Sequence, residues 1–344
     1  MKRSLLIISG LLLVACNNIT KKNTSQPDEQ VVGTEEKSEL RTKAETFFKS
    51  VSALPTEEIS EQKVALGKKL YFDTRLSKEG NISCNSCHNL ETFGVDNLSL
   101  SPGDTKELGG RNSPTVFHSS LHAMQFWDGR AKDVEEQAEG PILNPVEHNI
   151  PNAEFLEKRL RQVADYQILF KEVYPDQKEP ITFKNIANAI GAFERKLNPA
   201  SRFDDYLDGN ENALNQQEKD GLKAFIDNAC ITCHSGVTLG GQMFQKFGLF
   251  GNYWEYTKSE KIDNGLFDIT NKESDKYFFK VPALRNVEKT APYFHDGSVS
   301  DLAEVVQIMA KTQLNKELTE KEVQDVVTFL KTLTSDIDEH YKKL

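Results

Sequence analysis

The sequence predicts a mostly α-helical protein of two domains with long loops. Three observations carry that prediction. Apolar residues recur at helical spacing in six segments, while alternating strand patterns are scarce. A chain of 344 residues exceeds what one average hydrophobic core organises. A Cys-x-x-Cys-His motif occurs twice, at Cys84–His88 and Cys230–His234, far enough apart to belong to separate domains.

The elements follow in chain order. Met1-Lys2-Arg3 is basic, and Leu5 to Ala15 is an apolar run too short to span a bilayer, which is the shape of an export signal. It ends in Leu13-Val14-Ala15-Cys16, which resembles a bacterial lipoprotein signal with Cys16 as the acylated residue. Residues 1–16 are therefore expected to be a signal, and residues 17–46, polar and poor in large apolar side chains, a flexible tether. A first domain is expected over 47–197, with helices over Glu61–Phe72, Phe155–Val173 and Phe183–Leu197. Asn198-Pro199-Ala200 breaks helicity and marks the boundary. A second domain over 198–335 carries helices over Glu218–Asn228, Asp301–Lys311 and Glu320–Leu333, the last opened by a capping box of Thr319 and Glu322. Residues 336–344 read as a tail. No later stretch has the length of a transmembrane helix, so the expectation is an exported protein held on the periplasmic side of a bacterial envelope by its lipid alone.

The net charge of −10 and the absence of a basic cluster argue against a nucleic-acid partner. An acidic surface serves solubility, and it can also dock a basic protein. Five cysteines are present. With Cys16 assigned to lipid, the other four all fall in the Cys-x-x-Cys-His motifs. Two thiols at that spacing can each form a thioether to one haem vinyl group, and the next histidine reaches the iron. Zinc is the rival, but each motif lacks an obvious fourth ligand. Two covalently attached c-type haems follow, one on Cys84, Cys87 and His88, the other on Cys230, Cys233 and His234.

A haem enzyme needs one iron open to substrate, and an electron-transfer haem is usually closed by a sixth ligand. After His234 the soft candidates are Met243, in a Gly-rich loop, and Met309, within the Asp301–Lys311 helix; spacing alone does not choose between them. The first haem has only Met124 nearby, with His118, His122 and His148 as other candidates. Glu147 is a carboxylate that could serve proton transfer beside an open iron, although a surface position is the default for such a residue.

Five stretches carry a resemblance: Ser83 to Asp96, Gly110 to Thr115, Gln125-Phe126-Trp127-Asp128-Gly129-Arg130-Ala131, Val281 to Val287, and Ala291-Pro292-Tyr293-Phe294-His295-Asp296-Gly297. Their order around the two haem motifs resembles the bacterial dihaem cytochrome c peroxidase family, to which the MauG-type oxidases of protein partners are related, over residues 47 to 335. The resemblance implies two cytochrome c-like haem domains. The first would be peroxidatic, with hydrogen peroxide bound opposite His88 and Glu147 as acid/base. The second would take electrons from a small c-type cytochrome or copper protein at a haem ligated by His234 and Met309, which settles the choice against Met243. MauG-type proteins carry tyrosine at that position. Trp127 would lie between the haems and assist electron transfer. Asn112, Thr290 and Pro292 would hold a calcium ion, and His295 would brace the second haem. The apolar surroundings of Glu147 are expected from Phe126 and the Pro145-Val146 segment. Family members are often dimeric, so a homodimer is possible on the same ground.

One departure stands out. Many family members are silent when oxidised because a distal histidine caps the peroxidatic iron. Ungapped alignment places Asp104 there, and no histidine occurs between His88 and His118. The expectation is an enzyme active without reductive activation, unless His118, His122 or His148 replaces the cap, or a water-capped but closed site still needs reduction. The functional alternatives on the same fold are a MauG-like oxidase and a pure electron-transfer dihaem cytochrome.

Overall fold

The computed structural model describes residues 37–344; the expected signal and the lipid site at Cys16 lie outside the described residues. The first element, α1 (Glu39–Ala44), begins where the Ser38 hydroxyl accepts the Arg41 N–H at 3.1 Å. It corrects the expectation of a flexible tether up to residue 46. Ser38 N–H donates to Glu211 at 2.8 Å, and Ala44 and Phe48 are buried against Phe203, Tyr206 and Phe225. With Leu40 and Phe47 packed against the same cluster, these apolar residues anchor the segment to the second haem region instead of the first.

The first core gathers around α2 (Glu61–Tyr71), the short turn α3 (Cys84–Cys87), α4 (Val134–Leu143), α5 (Ala153–Arg161), α6 (Ala164–Val173) and α7 (Phe183–Glu194). Ser60 caps α2, whose Leu66 and Leu70 are fully buried. Between them Gly67 lets α2 cross α7 at close range: a Cβ there would sit 1.8 Å from the Ala189 carbonyl oxygen. The helix expected over 155–173 is two. At 3.6 residues per turn a straight helix would place Tyr166 about 80° from Leu156. The break at Gln162–Val163 turns Leu156, Leu160, Tyr166 and Phe170 all into the core, where each is fully buried.

The second core repeats the device. It is built from α8 (Arg202–Leu207), α9 (Gln216–Asp227), α12 (Leu302–Leu314) and α13 (Glu320–Lys331), with α9 and α13 as the main crossing, while α10 (Tyr253–Thr257) packs in a separate small cluster and α11 (Phe267–Thr270) buries no residue. Gly221 opens that crossing, since its Cβ would lie 1.9 Å from the Asp325 carbonyl oxygen. The capping box of α13 forms as expected, with Glu322 accepting from Thr319 N–H at 2.8 Å and Thr319 Oγ1 accepting from Glu322 N–H at 3.2 Å. A two-stranded antiparallel sheet, β1 (Phe244–Lys246) and β2 (Phe278–Lys280), pairs Phe244 with Lys280 and Lys246 with Phe278.

The predicted tail also packs. Ile337 is buried in the first core, the ring of Tyr341 on α14 (Glu339–Lys342) meets Phe193 edge-on at 5.9 Å, and Lys68 donates to the His340 carbonyl. The two ends of the described chain thus each clasp the far core. The Asn198-Pro199-Ala200 link is irregular, and beside it Arg285 and Asp204, both fully buried, form a bidentate pair at 2.7 Å for each bond.

Candidate active site

The haem-binding motifs come first. Ser83 starts α3, its N–H donating to Ser86 Oγ at 2.9 Å, and the following turn puts Cys84 and Cys87 on one half-buried side. Cys84, Cys87, Cys230 and Cys233 are all free thiols. Burial pushes the Cys84 thiol up, and Cys87 and Cys230 up to about 11, so the free thiols are neutral. Among the described residues no group of three or more His, Cys, Asp or Glu is placed to hold a metal.

Both motif histidines are oriented the same way. His88 Nδ1 lies 2.9 Å from the Pro114 carbonyl oxygen, and His234 Nδ1 lies 3.0 Å from that of Leu239. A carbonyl only accepts, so each Nδ1 carries the hydrogen and each Nε2 keeps its lone pair. This is the tautomer an iron ligand needs. Burial lowers both imidazole pKa values and keeps them neutral. Tyr71 Oη fixes the first motif further by donating to the His88 carbonyl at 2.5 Å. The residues fit covalently attached haem at both motifs.

A cavity of about 420 Å³ opens on His88 and is lined by Cys84, Cys87, Phe126, Trp127 and Glu147. Glu147 is half-buried, and its Oε1 accepts from Asn144 Nδ2 at 2.9 Å. Burial raises its pKa; the Arg130 charge and the Asn144 hydrogen bond oppose the rise without cancelling it. The expected Pro145-Val146 wall is not what surrounds it: Pro145 is exposed, and the apolar lining comes from Phe126, Val134, Ala138 and Ile142. Arg130 stacks its guanidinium 3.4 Å over the Phe126 ring, held there by both oxygens of Asp128.

Trp127 lines this cavity and also packs into a small apolar cluster of Phe247, Tyr253 and Phe279 that holds Met309. Its Nε1–H donates to the Asn112 carbonyl at 2.9 Å. Met243, the other methionine after His234, is exposed. His295 is stacked on Phe279 at 4.3 Å, with Nε2 buried and unpartnered.

The profile of the di-haem cytochrome c peroxidase family matches residues 61–212, and that of cytochrome c matches residues 218–334. The cytochrome c551 peroxidase of Pseudomonas aeruginosa is 45% identical over 301 residues, 86% of either chain. The chain belongs to the bacterial dihaem cytochrome c peroxidase family. The cytochrome c551 peroxidase of Nitrosomonas europaea is 46% identical over 79% of either chain. A solved MauG-like protein associated with microbial copper homeostasis superposes with a TM-score of 0.73 at 33% identity, covering 83% of this chain and 92% of its own. The chain is therefore a peroxidase-type oxidoreductase of two c-type haem domains.

In this dihaem peroxidase the loop that carries Asp104 is fastened down. Asp104 is buried; it accepts from Glu79 N–H at 3.0 Å and from Asn149 Nδ2 at 3.4 Å, and its own N–H donates to the Glu147 carbonyl at 2.8 Å. Gly103 lies so close that a Cβ would fall 1.8 Å from the Val146 carbonyl oxygen. The three other histidines differ in their ties. His118 is fully buried with Nε2 on the Pro199 carbonyl at 2.8 Å and does not line the cavity. His122 and His148 do line it; His122 Nδ1 meets Lys280, and His148 Nδ1 donates to the Leu76 carbonyl at 3.0 Å.

Sequence reasoning missed Asn144, Lys280 and Glu194, which also face the cavity. Glu194 is a buried carboxyl that burial, with Glu135 adding, pushes up to about 8 despite Arg195. Nothing local in the sequence marks these three; only a fold that brings α7, β2 and the turn after α4 together does so.

Proposed function

We propose that this enzyme reduces hydrogen peroxide to two waters, consuming two protons and two electrons from a small c-type cytochrome or copper protein. The observation that carries the reading is that a carboxyl with a raised pKa, Glu147, shares one cavity with His88, whose Nε2 is free to ligate. The haems, when attached, supply the iron that meets peroxide and the redox capacity that splits it. His88 would hold the first iron through Nε2. Glu147 would take a proton from one peroxide oxygen and return it to the departing one, and Asn144 keeps its carboxyl aimed. Arg130 and Phe126 limit water around it. His234 and Met309 would complete the second site, where electrons enter, and Trp127 spans the space from the first cavity to the Met309 cluster.

The same proposal covers calcium. Asn112 spends its amide N–H groups on the Leu98 and Ser99 carbonyls at 2.9 and 3.4 Å, which leaves Oδ1 without a donor. The carbonyls of Thr290 and Pro292 accept no hydrogen bond from the described residues either. Three undonated oxygens suit a hard cation. Export to the periplasm, a lipid on Cys16 and a homodimer complete the reading. Asp104, held by Glu79 and Asn149, would offer the first haem no capping imidazole from that loop, which would leave the site open to small ligands in the oxidised enzyme. Cyanide titration of the oxidised holoenzyme tests this: one haem per chain should shift its Soret band at once, whereas two unreactive haems would turn the account toward an electron-transfer cytochrome.

A further inference from the structure

Lys280, the last residue of β2, is 6% exposed and has no ion-pair partner among the described residues. Its Nζ lies 3.2 Å from His122 Nδ1. An ammonium only donates, so His122 Nδ1 accepts and the imidazole hydrogen sits on Nε2. That Nε2 is buried without a partner. A buried cation without a counter-charge and a buried N–H without an acceptor therefore stand side by side among the described residues, both lining the cavity of His88 and Glu147.

The pair is built, not accidental. Gly241 presses against the His122 ring, where a Cβ would fall 2.5 Å from Cδ2, and its backbone is locked by N–H to the Val281 carbonyl at 2.7 Å and by its own carbonyl to Ala123 N–H at 3.0 Å. Lys280 N–H donates to the Trp127 carbonyl at 2.8 Å. Burial lowers Lys280 to about 8, partly offset by Asp128, so it is still mostly an ammonium at neutral pH. Asp128 is already committed to Arg111 and Arg130. Burying an ammonium is costly without a counter-charge, and the arrangement of donors calls for an oxyanion.

We propose that the Lys280 ammonium and the His122 Nε2–H form a carboxylate cradle whose occupant is a propionate of the haem attached at Cys84 and Cys87. The assignment rests on the two-haem reading above. Thioether bonds fix the vinyl edge of a c-type haem, and its two propionates project from the opposite edge, so a haem in this cavity brings its own carboxylates into it. The cradle would join that haem, through a residue of the second half of the chain, to the backbone of Trp127. A positive charge beside the haem also favours its reduced state, so the pair would raise the potential of the first haem.

The test is a spectroscopic redox titration of the holoenzyme, which needs no turnover. Lys280→Met with two haems bound should lower the midpoint potential of the His88 haem and leave the His234 haem unmoved, while Lys280→Arg stays near the parent. His122→Leu, which keeps the lysine, should shift the propionate bending band of the first haem in resonance Raman spectra. An unchanged first-haem potential in Lys280→Met, or a shift in the second haem only, would overturn the assignment. So would a potential that moves with added acetate in the parent and not in Lys280→Met, because a free carboxylate would then be the occupant. If peroxidase turnover failed while these potentials moved as stated, the function would fall and the cradle would stand.

Discussion

Glu147→Gln isolates one proton. Glutamine keeps the volume and can still accept from Asn144 Nδ2, the hydrogen bond that holds Glu147 at 2.9 Å, so the cavity shape survives and only the acid/base function is lost. A positioned acid/base group contributes roughly 10²–10⁴-fold, which is about 3–5 kcal/mol of barrier at ~1.36 kcal/mol per decade. The assay is peroxide-dependent oxidation of a reduced cytochrome c under single-turnover conditions, with haem content checked to show that two haems remain. The expected loss falls on the peroxide step. The parent rate should rise with pH as Glu147 deprotonates, along a limb displaced above the ordinary glutamate range because burial raises its pKa. Asn144→Ala removes an interaction that lowers that pKa, so the limb should move to still higher pH. In Glu147→Gln the limb should vanish. Activity within about threefold of the parent, with the limb intact, would refute Glu147 as the proton carrier.

Three other predictions concern the fold and its switch. Gly67→Ala and Gly221→Ala each push a methyl group into a facing helix carbonyl and should each cost about 1–3 kcal/mol in thermal or denaturant unfolding, as overpacking does. Arg285→Met strands the buried Asp204 carboxylate and should cost about 3–5 kcal/mol. Burial alone would raise Asp204, but Arg285 and the N–H groups of Val51 and Ser201 win and hold it low; the pair's contribution is therefore full above roughly pH 4 and is lost as pH falls through the folded value, an acid limb of the stability profile that Arg285→Met should flatten. Asp104→His should restore a lag in the oxidised enzyme that reduction of the second haem abolishes, read as the onset of turnover after mixing.

The haem motifs were legible because attachment chemistry requires residues adjacent in sequence. Helix identities were legible where a single face is buried, as at Leu66 and Leu70, or where a capping box writes the start, as at Thr319 and Glu322. The break at Gln162–Val163 was not, since it is imposed by the core and no Gly or Pro marks it. Docking of α1 and α14 was hidden for the same reason: Phe48 and Ile337 find their partners only after the chain has closed on itself. Within the site, Glu147 and Trp127 came from resemblance, whereas residue chemistry alone left Glu147 at the surface. Lys280 and His122 are 158 residues apart and could be joined only by the structure.

The central claim is a peroxidase whose first haem works without reductive release of a distal ligand. Its most direct test adds peroxide and reduced carrier cytochrome to the holoenzyme, either fully oxidised or with only the second haem reduced. The account predicts immediate and equal turnover from both forms; silence in both would contradict the peroxidase reading, and a lag confined to the oxidised form would contradict the open first haem.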